Sequence, residues 1–213
     1  MSAPVSGPIA LGALDLAALL CSRVCHDLIS PVGAIVNGLE VLDENKDEET
    51  KTFALDLIKK SAEQASAKLQ FCRLAFGAAG SAGAQIDLGD AEKVARGLLA
   101  DDKTKIEWNL PRELLPKNKV KLLLNMLLIA MGAIPRGGTL AVGPAEGGQG
   151  FRIVATGLNV RLNEATAELL VGSPERPVDA HGIQPVYTGI LARDCGLAVS
   201  AAAEADGVVV AAR

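Results

Sequence analysis

At 213 residues, 49% of them hydrophobic and 22% charged, the chain is too apolar for a disordered protein and long enough for one ordinary domain or two small ones. Its 21 basic and 25 acidic residues leave a net charge of −4, no field for a nucleic-acid backbone, and 3% aromatics leave little to stack on bases. No apolar run approaches the roughly 18 to 20 residues of a bilayer span, and no basic stretch precedes an apolar core at the N-terminus, so a cytoplasmic protein with four reduced cysteines is expected.

Residues 1–12, with Pro4, Gly7, Pro8 and Gly12, read as a frayed leader. A first helix is predicted over residues 13–43, close to about 45 Å long. On it Leu28, Val32, Ile35, Leu39 and Leu42 share an apolar face, expected to pack against other helices. His26, Ser30, Gly33 and Asn37 fall on the opposite side, with Arg23, Asp27 and Ala34 as one shoulder of that stripe. The His26 imidazole is therefore expected to point to solvent above small side chains. Pro31 removes the N–H that would bond the Asp27 carbonyl and predicts a local kink. Within a helix, proline and glycine cost roughly 3 and 1 kcal/mol relative to alanine, so both beside an exposed histidine mark a functional site. Cys21 and Cys25 read as small core hydrophobes, because no further Cys or His completes a metal site with them.

The charged stretch DENKDEE, residues 43–49, separates this helix from a second one over residues 50–76. Its apolar seam, Leu55, Ile58, Ala62, Ala65, Leu69, Cys72 and Phe76, has heptad spacing. Two long antiparallel helices cannot cover all of their apolar faces, so a two-fold dimer forming a four-helix bundle is expected; the alternative is a hairpin packed on the chain's own C-terminal part. The small-residue linker GAAGSAGAQ, residues 77–85, places a domain boundary at 78/79. Beyond it, strands are predicted at residues 86–88, 105–110, 139–142, 151–155, 198–202 and 208–211, and helices at 90–100, 117–134, 163–170 and 185–194. The fold class is α+β: a helical hairpin, then an α/β sandwich with helices over one face of a mixed sheet. Lys68, near the height of His26, and His181, in DAHGIQ, both read as solvated side chains.

The segment HDLISPV, residues 26–32, resembles the dimerisation and phosphoacceptor helix of sensor histidine kinases. There the histidine is followed by an acidic residue, then by Ser or Thr and by proline, places held here by Asp27, Ser30 and Pro31. The second half resembles the kinase ATP-binding domain in layout. In LLLNMLLIAMGAIPRGGTL, residues 122–140, the apolar frame and the Gly137-Gly138-Thr139 turn match. Ile129, however, stands at the place of the magnesium-binding asparagine and Gly132 at that of a lysine. In IVATGLNV, residues 153–160, Ala155 stands for the adenine-binding aspartate and Asn159 for a second glycine. No glycine-rich phosphate loop precedes the helix near Pro185. The resemblance thus implies a degenerate ATPase-like domain without nucleotide binding.

LAALLCSRVCHDLISPVGAI, residues 16–35, is similar to the ChpT-type histidine phosphotransferases, and the likeness covers nearly the whole chain from about residue 14. It implies a homodimer in a bacterial cell-cycle phosphorelay. His26 would take a phosphoryl group from the receiver domain of a CckA-like hybrid histidine kinase and pass it to CtrA-like and CpdR-like response regulators. Mg²⁺ would come from the receiver, with no cofactor, metal, nucleic acid or membrane of the chain's own. A neutral imidazole suits the task, since imidazoles titrate near about 6.5 and are mostly unprotonated at pH 7. His26 and Asp27 are the catalytic candidates, Asp27 orienting the ring or biasing its tautomer. Arg23, Ser30, Gly33, Ala34 and Asn37 are candidate partner contacts by helix face, Ser30 also toward the phosphoryl group. The alternatives are an active ATP-dependent histidine kinase and a non-catalytic dimeric module that sequesters response regulators.

Overall fold

Helices α1 (Ala13–Glu44) and α2 (Glu48–Ala75) open the computed structural model, which describes residues 11–44, 47–77, 83–172, 178–205 and 207–213. Residues 1–10 of the expected leader lie outside the described residues. α1 continues without interruption through Pro31. Asp47 starts α2: its carboxylate accepts the Thr50 backbone N–H at 2.8 Å and the Thr50 hydroxyl at 2.7 Å, and Glu48 and Glu49 follow where the helix dipole favours negative charge.

The seam between the two helices is built largely from small residues. α1 buries Pro31 and Gly38, and α2 buries Ala54, Ser61, Ala65 and Cys72. A Cβ on Gly38 would stand 2.6 Å from Ile58 Cγ1, so the backbones approach as closely as a glycine there permits. Of the expected α2 seam, Ile58, Ala65 and Cys72 lie in this contact, but the larger aliphatic residues of both expected faces do not. Val32 and Leu39 of α1 remain 48% and 50% exposed, and Leu55 and Leu69 of α2 remain 57% and 52% exposed. Cys21 and Cys25 are exposed as well, not core residues. Helices pack closest where side chains are smallest, which leaves the bulkier aliphatic residues outside the contact.

Those residues follow seam residues by one position, about 100° around the helix: Val32 after Pro31, Leu39 after Gly38, Leu55 after Ala54. In an antiparallel pair an equal turn on each helix brings both stripes to the same side of the hairpin. His26, Ser30, Gly33 and Asn37 each precede a shoulder or seam residue by one position and so face the other side. By length and composition α1 is the one described helix able to cross a bilayer. Its polar residues, Arg23, His26 and Asp27, lie midway along it, where a bilayer would penalise them, and its exposed apolar surface is one-sided.

The second half runs β1 (Gln85–Asp87), α3 (Leu88–Leu99), β2 (Thr104–Trp108), β3 (Leu114–Pro116), α4 (Lys117–Gly132), β4 (Gly138–Pro144), β5 (Phe151–Gly157), α5 (Glu164–Val171), α6 (Ile183–Asp194), β6 (Val199–Glu204) and β7 (Gly207–Ala212). The main sheet has five strands in the order β2-β4-β5-β7-β6, parallel only between β2 and β4. In β4 and β5 alternate residues, Leu140, Val142, Phe151, Ile153 and Ala155, point into the core, the pattern of a sheet covered on one face. β3 is the element the sequence reading lacks; three residues ending in proline carry no alternation, and the strand exists by pairing with β1. α4 is buried on nearly every side from Val120 to Leu127, lying between the sheet and the helices α2, α3 and α6.

The foot of the hairpin shares this core. Leu16 and Leu20 of α1 pack against it, and Phe71 and Ala75 of α2 belong to it. The expected boundary at 78/79 falls in residues 78–82, outside the described residues. Three helices are tied together by one polar network inside the core. The Asn125 side-chain amide donates to the Ala75 carbonyl at 3.1 Å and the Lys121 carbonyl at 2.9 Å. Gln184 donates to the Asn125 carbonyl at 2.8 Å, and the Thr188 hydroxyl closes on the Gln184 carbonyl at 2.8 Å. Buried amides with all partners satisfied fix the register of α2, α4 and α6.

Candidate functional site

His26 stands midway along α1 with its side chain 63% exposed. Its Nδ1 lies 3.7 Å from Asp27 Oδ1, an ion-pair approach too long for a hydrogen bond. Asp27 is instead committed to Arg23, whose Nε donates to Oδ2 at 2.9 Å one helical turn away. Asp27 therefore places negative charge beside Nδ1 but does not hold the tautomer by a hydrogen bond. Arg23 is partly buried along the helix by the same pair.

The Asp27 carbonyl, deprived of its helical N–H by Pro31, accepts Lys68 Nζ at 2.8 Å across the hairpin. Lys68 is thus not a free solvated lysine; it supplies the hydrogen bond the proline removes. Lys68→Met is expected to destabilise the protein by about 1 kcal/mol, a charge-assisted bond discounted for partial exposure. In a Pro31→Ala background the alanine N–H satisfies the same carbonyl, so the Lys68→Met cost should largely disappear in urea titrations. Strictly additive losses in that cycle would show that the carbonyl does not depend on Lys68.

Ser30 and Asn37 are exposed on the His26 side. A Cβ on Gly33 would meet nothing within 4 Å, so this glycine, unlike Gly38, does not serve helix packing; it leaves the surface below the histidine open. Ala34 is half-buried at the edge of that surface. Cys72, in the hairpin seam, has its thiol pushed up to about 11, first by burial and then by the Asp27 charge, which keeps it protonated and inert near neutral pH.

His181 is where the sequence reading fails most. Its ring lies 5.0 Å from that of His26, centroid to centroid, at 79°, an edge-to-face contact across the two halves of the chain. Asp179 shapes this turn: its Oδ1 accepts the backbone N–H of Gly182 at 2.7 Å and of His181 at 3.0 Å. The bond from Gly182, more than that from His181, holds the Asp179 carboxyl below its ordinary range. No local pattern joins His26 to His181, and the sequence signal available was only the Asp four residues before the start of α6.

At the positions compared with nucleotide-binding kinases, Ile129 and Ala155 are buried apolar residues of the core. Asn159 adopts φ 57°, the left-handed conformation that suits glycine and that asparagine tolerates.

Residues 88–207 match the family model of the histidine phosphotransferase C-terminal domain. The protein phosphotransferase ChpT of Brucella abortus (strain 2308) is 55% identical over 98% of this chain and 100% of its own length. A bacterial phosphotransferase structure solved at 1.7 Å superposes with a TM-score of 0.87 at 52% identity, covering 97% of this chain and 99% of that one.

Proposed function

The chain belongs to the ChpT-type histidine phosphotransferases, and from that premise we propose that it relays phosphoryl groups between receiver-domain aspartates through His26 in a two-component phosphorelay. The observation that carries this reading is the exposed imidazole above an open helix face, beside a carboxylate already tied to Arg23.

Nδ1 faces the Asp27 carboxylate, which repels a phosphate, so Nε2 is the attacking nitrogen. Its lone pair attacks the phosphorus of the receiver's aspartyl phosphate in line; the P–O bond breaks, the aspartate leaves with the electron pair, and a P–N bond forms. The ring keeps its Nδ1 proton and gains positive charge, which Asp27 at 3.7 Å offsets. The same steps in reverse load a second receiver. Positioning and charge neutralisation dominate such a reaction, and the receiver's aspartate and Mg²⁺ supply most of the latter. The chain thus needs no cofactor of its own. Ser30, Gly33 and Asn37 form the receiver's docking floor, with Arg23 and Ala34 at its edge. By family resemblance the donor is a CckA-like receiver and the acceptors are CtrA-like and CpdR-like regulators, in the cytoplasm, in cell-cycle control.

The buried apolar Ile129 and Ala155 argue against an ATP site, because both lack the polar group that position carries in kinases. The exposed stripes of α1 and α2 argue for a homodimer closing a four-helix bundle. Incubation with a phosphorylated receiver domain is expected to give an acid-labile label on the chain, and ATP alone is expected to give none. Label from ATP would favour an active kinase. Tight receiver binding without label would favour a sequestering module.

A further inference from the structure

His181 and His26 are the only histidines of the chain, and the fold brings their rings together at 5.0 Å from opposite halves of the molecule. The contact rests on rigid supports at both ends. On one side, the Asp179 side chain caps the turn that carries His181, and the Ile183 N–H bonds the Asp179 carbonyl at 3.0 Å at the start of α6. Three residues beyond His181, Gln184 is locked to Asn125, and Asn125 to the last turn of α2. Tyr187 of α6 meets Phe76 at the end of α2 with ring centroids 5.9 Å apart. On the other side, α2 is joined to α1 by the tight seam at Gly38 and by Lys68 on the Asp27 carbonyl. The His26 ring has no hydrogen bond to Asp27 to orient it, so its rotation is limited chiefly by what packs against it.

We propose that His181 is a positioning residue for phosphoryl transfer: its ring, edge-to-face with that of His26, holds the imidazole in one orientation, so that the attacking nitrogen meets the incoming phosphorus in line. This rests on His26 being the phosphoacceptor. It also assigns a use to the ATPase-like half, which serves as the support that carries His181 to the helical stalk.

The test compares the full-length wild type with His181→Ala, His181→Phe and His26→Ala, following label transfer from a phosphorylated receiver domain over a range of receiver concentrations. His181→Ala is expected to lower the maximal transfer rate about five-fold, the effect of freeing a restrained rotor, with the half-saturating receiver concentration unchanged. His181→Phe, which keeps a ring against His26, should retain most of the wild-type rate. In NMR spectra the His26 ring protons should lose their ring-current displacement in His181→Ala and keep one in His181→Phe. Wild-type kinetics in His181→Ala, with His26→Ala still unlabelled, would overturn the positioning role and leave the relay intact. So would a raised half-saturating concentration at unchanged maximal rate, which would make His181 a docking contact, or a His181→Phe variant as slow as His181→Ala. Label surviving in His26→Ala would overturn the relay reading itself.

Discussion

His26→Ala is expected to reduce phosphoryl transfer from a phosphorylated receiver to background, a loss of at least about a thousand-fold, because it removes the imidazole that forms the covalent intermediate. Two neighbouring nucleophiles, Cys72 and Ser30, do not substitute. Cys72 is buried with its thiol pushed up to about 11, and a serine hydroxyl such as that of Ser30 has no base beside it among the described contacts. The His26 side chain is 63% exposed, so the substitution removes little packing. Its unfolding midpoint should match the wild type to within the roughly 0.5 kcal/mol usual for surface changes. A variant that unfolds normally and accepts no label isolates the chemistry from the fold. A variant that still yields acid-labile label would move the acceptor elsewhere.

The elements themselves were legible because their signals are local. Long 3.6-residue periodicity marks α1 and α2, glycine and charge mark their ends, and short β-branched runs mark β4, β5 and β7, all within a few residues of the structure. What periodicity does not tell is which apolar face meets which neighbour. α1 and α2 each carry two usable stripes, and the larger side chains Val32, Leu39, Leu55 and Leu69 lie on the one outside the hairpin contact. Small residues won the intramolecular contact, so Gly38 and Ala54 were the better signal. Cys21 and Cys25, expected in the core, continue that exposed stripe of α1. The site was legible where it is one stretch of helix, His26 to Asn37. It was not where distant segments meet, since Lys68 reaches the Asp27 carbonyl and His181 reaches the His26 ring only through tertiary packing.

The exposed stripes make the second large prediction. Val36 is 48% exposed and lies about 100° around α1 from Asn37. If two copies close a four-helix bundle over Val32, Val36, Leu39, Leu55 and Leu69, then Val36→Glu buries an unpaired carboxylate twice, once per copy, by two-fold symmetry. Each uncompensated charge costs several kcal/mol, and about 1.4 kcal/mol is ten-fold in an equilibrium constant. The dimer should therefore weaken at least about a thousand-fold and sediment as a monomer at micromolar concentration. Asn37→Glu, one residue along but turned about 100° toward the His26 side, should leave the dimer intact and weaken only receiver docking. Because Val36 lies about 15 Å along α1 and about 80° around it from His26, monomeric Val36→Glu should still take label on His26. Sedimentation of wild type as a monomer, or of Val36→Glu as a dimer, would mean that something other than a second copy covers this face. Loss of label together with the dimer would mean that one receiver needs both copies.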